Sequence, residues 1–543
     1  MREKSITENA VVVAFMTFIS RIGGLIREML LANYFGAGVV KSAFDVAYRI
    51  PNLFRRLFGE GALSGALIPI YTEILHTKGK KEADALASAV CGVVTFGLGV
   101  VSILGILLSY PLAIYLSAHF GEGNKWAAIL PLLRIMLPYA PLICLAALIM
   151  GVLNSLKSFA ISALAPAFQN LCCIIALLCV CPFIPAEGDL RIKVVSWSIL
   201  VSGIVQVAVQ IPALRRNGVP LRLAFFAFNT PGLKRVFTLM LPMALSAGVY
   251  QINVFCDSIL AMHAGSWGPS VLGYSERIIY LPQAVCGTAF ATVILPTLST
   301  FFAQNDLANF KGSLEKTTRN VITFTMAATG GIIALAVPVV SVIYEWGAFD
   351  AQSTTRTANA LIAYGAGLTA AAVHKIIINA FYAIKDSRTT MIVNTIVVVL
   401  NLGLNLFFIW ILPPELKPVG IAIATSITSF LGCAALMVIM QHRTVDGKPL
   451  LELGSIIRVS LQTLVAAIIM GFAIYFANGY ANTLLSSLMP AKLATILSLC
   501  LSVPLGVAIY AGIVRLICPS AWYDVLSDLL SSRRFANRRK STK

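Results

Sequence analysis

Arginine is among the residues that a bilayer tolerates least, and this chain sets several of them inside its most apolar stretches. The segment SRIGGLIREMLLANYFG carries Arg21 and Arg27 six residues apart. On a helix six residues turn about 240° net and rise about 9 Å, so the two side chains fall on different faces. The segment AYRIPNLFRRLFGEGALSGALIPIYTEI follows, with Arg49, Arg55 and Arg56, and then Glu60. Pro51 within it predicts a kink or a restarted helix. Further on, GYSERIIYLPQAVCGTAFATVILP holds Glu276 and Arg277 ahead of Pro282. Each charge at mid-membrane costs at least about 2.5–3.5 kcal/mol, so these side chains must face a hydrated cavity rather than lipid. A guanidinium is a planar fork of donors suited to phosphate oxygens. Arginines from three helices predict a site for a multiply charged anion, most simply a phosphate or pyrophosphate. The alternative is internal pairing with Glu28, Asp45, Glu60 and Glu276, but these acids are fewer than the arginines.

The elements that position these residues follow from composition. The 543 residues are 58% apolar and only 12% charged, with a mean hydropathy of +0.85. A soluble domain carries about twice that share of charge, which excludes a soluble enzyme, a disordered chain and a fibrous protein. A span needs roughly 20 apolar residues. Fourteen stretches qualify: 9–35, 43–75, 85–117, 128–154, 159–183, 194–214, 236–263, 270–302, 318–346, 357–384, 388–412, 418–441, 456–480 and 491–518. The expected fold class is an all-α polytopic membrane protein, because a helix satisfies its own backbone in lipid. The first stretch is too long for a cleavable signal and carries two arginines. Loops on one side hold 24 basic residues and loops on the other hold 7. That asymmetry predicts both termini in the cytoplasm. The tail SRRFANRRKSTK reads as a partner of anionic lipid, not of nucleic acid. The eleven cysteines lie mostly in apolar runs and show no metal or disulfide spacing.

The chain also repeats itself weakly. Pro51, a Gly-rich stretch and GALIPIYTEI correspond to Pro282, a Gly-containing stretch and ATVILPTLSTFF, and each runs on into a basic loop. LNSLKSFAISALAPAFQNL parallels FYAIKDSRTTMIVNTIVVVLNL. The offset of about 226 residues equals six spans, which predicts two parallel lobes with substrate between them. The expected divisions are 1–222 and 223–445 for the lobes, 446–518 for two further helices and 519–543 for a basic tail. No phosphate-binding GxxxxGK[ST] motif is present, so ATP hydrolysis is not expected. Asp257, with Asn253 one turn earlier and Asn379 or Asp386 from later spans, could ligate a sodium ion or carry a proton. A hydrogen-bonded structural Asp is the alternative. His374 reads as a packed histidine, and Lys375 as a cavity residue or a pairing partner.

The residues SRIGGLIREMLLANYFGAG, AYRIPNLFRRLFGEGALSGALIPIYTE and YSERIIYLP resemble the MurJ (MviN) family of bacterial lipid II flippases, within the multidrug/oligosaccharidyl-lipid/polysaccharide exporter superfamily. The likeness runs from about residue 5 to 518. It implies fourteen helices, two six-helix lobes, and a groove at the last two helices for the undecaprenyl chain. It places the cavity arginines on Arg21, Arg27, Arg55 and Arg277, with Ser20, Asn52, Glu60 and Glu276 beside them; Gly61 and Ser64 also match. It implies a multi-pass protein of the bacterial inner membrane that flips the undecaprenyl-pyrophosphate-linked peptidoglycan precursor by alternating access. No cofactor is expected beyond sodium or proton coupling, with Asp257 on the seventh-span part of a sodium site. Expected partners are lipid II, membrane lipids and cell-wall synthesis or division proteins. The chain departs from the family where an Asp often follows Phe-Gly-Ala-Gly: it has Lys41 and Ser42, with Asp45 three residues later. It also has Tyr280 where an acid is common. The competing readings are an exporter of another polyprenyl-linked oligosaccharide and a membrane enzyme acting on polyprenyl phosphates. The scattered intramembrane acids argue against the enzyme.

Overall fold

The computed structural model describes residues 6–57, 63–120, 125–156, 158, 161, 164–185, 189–220, 222–445, 448–519 and 522–524. Glu60, Gly61, the Ser64 side chain and the tail from residue 525 onward lie outside the described residues. Among the described residues the regular structure is helical apart from one short hairpin that pairs Thr444–Val445 with Lys448–Pro449. Among the described residues ten helices are long and apolar enough to cross a bilayer, beginning with Lys80–Tyr115 and ending with Ala491–Ile517. The other expected stretches are helical at 6–35, 39–57, 63–77, 167–183 and 233–264. The all-α membrane class is therefore observed, while the total of fourteen spans stays a sequence expectation.

Two compact units form: Met1–Ser270 with Trp346–Phe349, and Val271–Glu345 with Asp350–Lys543. In the first unit, α1 (Ile6–Phe35) is followed by α2 (Val39–Phe54), α3 (Leu63–Thr77), α4 (Lys80–Phe120), α5 (Ile129–Met136), α6 (Tyr139–Ser155), α7 (Ala167–Ile175), α8 (Leu190–Arg216) and α9 (Leu233–Ala264). Its core gathers Ala43, Val46, Leu67, Ile70, Val90, Ile149 and Val152. Small residues set the closest approaches. A Cβ on Gly203 of α8 would stand 2.9 Å from the Tyr139 ring and 3.0 Å from Leu142 of α6. Tyr71 donates to Asp84 Oδ1 at 3.0 Å and ties the α3–α4 hairpin.

The second unit takes in nearly all of α10 (Gly268–Pro282), then α11 (Ala289–Ala303), α12 (Leu307–Tyr344), α13 (Ala351–Ala383), α14 (Ser387–Ile411), α15 (Lys417–His442), α16 (Leu453–Ser486) and α17 (Ala491–Ile517). Phe310, Leu314, Ile376, Ile377, Phe381, Leu436 and Met440 pack in one cluster. Leu335, Ala466, Met470, Ile474 and Tyr510 pack in another, where α16 and α17 lie on α12. Tyr510 donates to Thr323 O at 2.8 Å.

The internal repeat has a structural counterpart in each unit. The helix does not restart at Pro51: α2 runs through it to Phe54, and the ladder then widens into a π-turn at 55–57. Proline removes one N–H from the ladder, and a π-turn is one way a helix absorbs such a break. After Pro282 the same widening occurs at Gln283–Thr288. The turn between α3 and α4 has Gly79 at φ +92°, and the turn between α11 and α12 has Asn305 at φ +60°. These positions are 226 residues apart, the offset read from the sequence.

Candidate functional site: a buried charge network on α1 and α2

The α1 helix separates its two arginines as the spacing predicts. Arg21 is exposed, whereas Arg27 is 9% exposed. Arg27 Nη2 donates to Glu28 Oε1 at 2.6 Å, and Nη1 donates to Asn170 Oδ1 of α7 at 3.1 Å. Asn170 Nδ2 donates in turn to the carbonyl of Ser20 at 2.9 Å. Ser20 thus enters through its backbone. Gly23 leaves room for α7, since a Cβ there would lie 3.4 Å from the Asn170 Cβ. Arg27 Nε is buried with no hydrogen-bond partner.

Lys41 extends the network. It is 2% exposed, and its Nζ lies 2.6 and 2.7 Å from the two Asp45 oxygens and 3.5 Å from Glu28 Oε2. The spacing is i,i+4 on α2, which puts the ammonium and the carboxylate on one face. A continuous chain results: Asp45, Lys41, Glu28, Arg27, Asn170, Ser20. Burying these charges is tolerable because each meets a partner of opposite sign or a polar acceptor. Ser42, next to Lys41, faces away, and its Oγ donates to Ser270 Oγ at 3.0 Å.

Toward the end of α2, further guanidiniums reach neutral acceptors. Arg49 Nη1 donates to Val254 O at 3.1 Å, Arg55 Nε to Asn52 Oδ1 at 2.8 Å, and Arg56 Nη1 to Gln251 Oε1 at 3.5 Å. Gln169 Nε2 donates to the Tyr48 hydroxyl, and Tyr139 donates to Gln169 Oε1 at 3.4 Å. On α9, Asn253 Nδ2 donates to Asp257 Oδ2 at 3.4 Å, and Asn253 Oδ1 is buried without a partner.

The first unit therefore assembles Ser20, Arg27, Asn52 and Arg55 in bonded pairs, and Asn253 with Asp257. Glu276 and Arg277 belong to the second unit, where Tyr364 donates to Glu276 Oε1 at 3.3 Å. Asp386 is also in the second unit. It caps α14 by accepting Thr389 N–H at 3.1 Å and pairs with Arg443 at 2.6 Å. Asn379 Nδ2 donates to Ala291 O at 2.6 Å, and His374 Nε2 is 3.1 Å from Asn394 Oδ1. Among the described residues no group of three His, Cys, Asp or Glu side chains converges as a metal site. Sequence reasoning missed Lys41 and Asn170 as members of the network. Asn170 was visible only as part of the repeated segment LNSLKSFAISALAPAFQNL.

The family model described as lipid II flippase MurJ matches residues 31–494. A probable lipid II flippase MurJ of Rickettsia prowazekii is 34% identical over 424 residues, covering 78% of this chain and 81% of the relative. The lipid II flippase MurJ of Burkholderia cenocepacia is 32% identical over 441 residues, covering 79% and 83%. A solved lipid II flippase MurJ in an inward closed conformation superposes with a TM-score of 0.73 at 26% identity, covering 93% of this chain and 99% of that one. A multidrug resistance MATE transporter in an inward-facing conformation gives a TM-score of 0.63 at 16% identity and 79% coverage of this chain, a likeness of fold alone.

Proposed function

This chain belongs to the MurJ family of lipid II flippases, and from that premise we propose that the arginine-rich start of its first unit binds the pyrophosphate of lipid II. The protein is a transporter rather than an enzyme, is multi-pass in the bacterial inner membrane, and serves peptidoglycan synthesis by carrying lipid II. One observation carries the proposal. Residues 20–57 hold six cations (Arg21, Arg27, Lys41, Arg49, Arg55 and Arg56) against two acids. Both acids already sit against Arg27 or Lys41. The surplus is positive, and a pyrophosphate is a ligand of matching sign. Arg277 is a separate candidate contact, tested by its own substitution.

Binding alone does not move a substrate. The grip must weaken in the outward-open state, because a ligand held equally in both states shifts nothing. Asp257 and Asn253 are the pair that suits a coupling cation: a carboxylate and an unpartnered amide oxygen one helical turn apart supply hard oxygen donors. Sodium or a proton bound there would bias the cycle. Cell-wall synthesis or division proteins are the neighbours such a transporter would serve, since exposed lipid II is consumed by polymerisation.

The direct test is surface accessibility of lipid II in cells depleted of their own flippase. Arg27→Ala should abolish exposure while lipid II synthesis continues. Full complementation by both Arg27→Ala and Arg277→Ala would remove the arginines from the site.

A further inference from the structure

The segment between α8 and α9 has no part in the arginine network. It reads VPLRLAFFAFNTPG from Val219 to Gly232, and Arg222, Ala224 and Phe226 lie along the start of α4. Ala224 N–H donates to Ser88 O at 3.3 Å, and Arg222 N–H donates to Ser88 Oγ at 3.4 Å. Gly92 makes the approach possible: a Cβ there would stand 2.4 Å from the Ala224 carbonyl. The Phe226 ring meets Phe96 edge-on, with centroids 5.1 Å apart. The docked loop still leaves its aromatics outward. Phe226 is 74% exposed, Phe228 58% and Phe225 39%.

Charge accompanies the rings. Lys78, Lys80, Lys81, Arg215, Arg216, Arg222, Lys234 and Arg235 are all exposed here. The exposed acids in the same two stretches, 73–84 and 215–235, are Glu73 and Glu82, and Glu73 pairs with Arg235 at 2.7 Å. Position along α4 supplies the third observation. Its 41 residues span about 60 Å, twice the roughly 30 Å of a bilayer's hydrocarbon. Ser88 and Gly92 lie about 12–18 Å from its first residue. The stretch expected to cross the bilayer begins at residue 85, so the loop meets α4 within about the first two turns of that stretch. Exposed phenyl rings beside clustered cations at that depth are the combination that holds a lipid by its chain and its headgroup together.

We propose that the α8–α9 loop is a binding surface for an anionic glycerophospholipid of the leaflet on the Lys/Arg-rich side. The three phenylalanines lie among acyl chains, and Arg215, Arg216 and Arg222 hold the headgroup phosphate. A zwitterionic lipid offers the rings the same contact but returns nothing for the excess charge, so the surface selects for net negative headgroups.

The test uses the full chain with Phe226→Trp, reconstituted in mixed phosphatidylcholine and phosphatidylglycerol vesicles. Bromine is carried on the acyl chains of one lipid or the other at constant composition, and quenching of the parent protein is subtracted. Quenching should be stronger when phosphatidylglycerol carries the bromine. Arg215→Gln, Arg216→Gln and Arg222→Gln together should level the two, each neutralisation lowering the local preference by about fivefold. The matching lysine variants should keep it. Equal quenching by the two lipids, no quenching by either, or a preference that survives neutralisation overturns the proposal. Displacement of phosphatidylglycerol by added lipid II would make the substrate the occupant and overturn it as well. The readout involves no transport, so it stands apart from the pyrophosphate reading.

Discussion

Lys41 shows how a single side chain can decide whether its neighbours are usable. It is almost wholly buried and stands between Asp45 and Glu28. Without it, Asp45 would lose the ammonium that both of its oxygens meet, and Glu28 would lose one of its two cations. Removing one partner of a buried pair costs about 3–5 kcal/mol, because the remaining charge is stranded. Lys41→Met should therefore lower the melting temperature in detergent and reduce lipid II exposure. Adding Asp45→Asn removes the stranded charge and should recover most of the stability. If the double variant melts no higher than the single one, Lys41 is not there to balance Asp45. The sequence showed Lys41 and Asp45 as a departure from the family pattern, and their i,i+4 spacing was legible. Their closeness to Glu28 was not, because it depends on how α1 and α2 pack.

Among the elements, the helices were the most legible part of the chain. Long apolar runs can hardly be anything else in lipid, and among the described residues each expected stretch is predominantly helical. The breaks were less legible. Pro51 sits inside α2, and the ladder yields only four residues later, since proline constrains the turn before it and where that is absorbed depends on packing. Close helix contacts were likewise invisible, because a glycine in an apolar run looks the same whichever way it faces. Gly330 and Gly331 of α12 illustrate this. A Cβ at 330 would lie 2.8 Å from the Ala467 carbonyl of α16 and 2.9 Å from Met470 Cε, whereas at 331 nothing lies within 4 Å. Gly330→Val should force the two helices apart and destabilise by about 1–3 kcal/mol, while Gly331→Val should leave the melting temperature nearly unchanged. Equal effects at the two sites would contradict the packing. At the start of α13, Asp350 accepts the Ser353 N–H at 2.8 Å, and the bond to Ser353 holds its carboxyl below the usual carboxylate range. A carboxylate favoured in the native state stabilises fully above its unfolded value of about 3.9 and loses that contribution as pH falls through the lower native one. Thermal melts should show this loss below about pH 4, and Asp350→Asn, which keeps an acceptor but cannot titrate, should make the acid limb shallower.

At the scale of the whole molecule the remaining question is what drives lipid II in one direction. A site rich in cations attracts a pyrophosphate but gains nothing from releasing it, so the cycle needs a second free-energy source that distinguishes its states. The described residues offer one pair with the right chemistry, Asp257 with Asn253. Asp386 is engaged elsewhere, in capping α14 and pairing with Arg443. If a cation at Asp257 supplies the bias, replacing external sodium with choline at fixed membrane potential should slow the appearance of lipid II at the outer surface. Asp257→Asn should slow it to a similar extent and abolish the remaining sensitivity to sodium. A proton at the same carboxylate predicts a different pattern: indifference to choline, and a pH dependence lost in Asp257→Asn. If Asp257→Asn transports at the parent rate under every condition, the driving force lies outside this pair, and the membrane potential acting on the arginine cluster becomes the source to test.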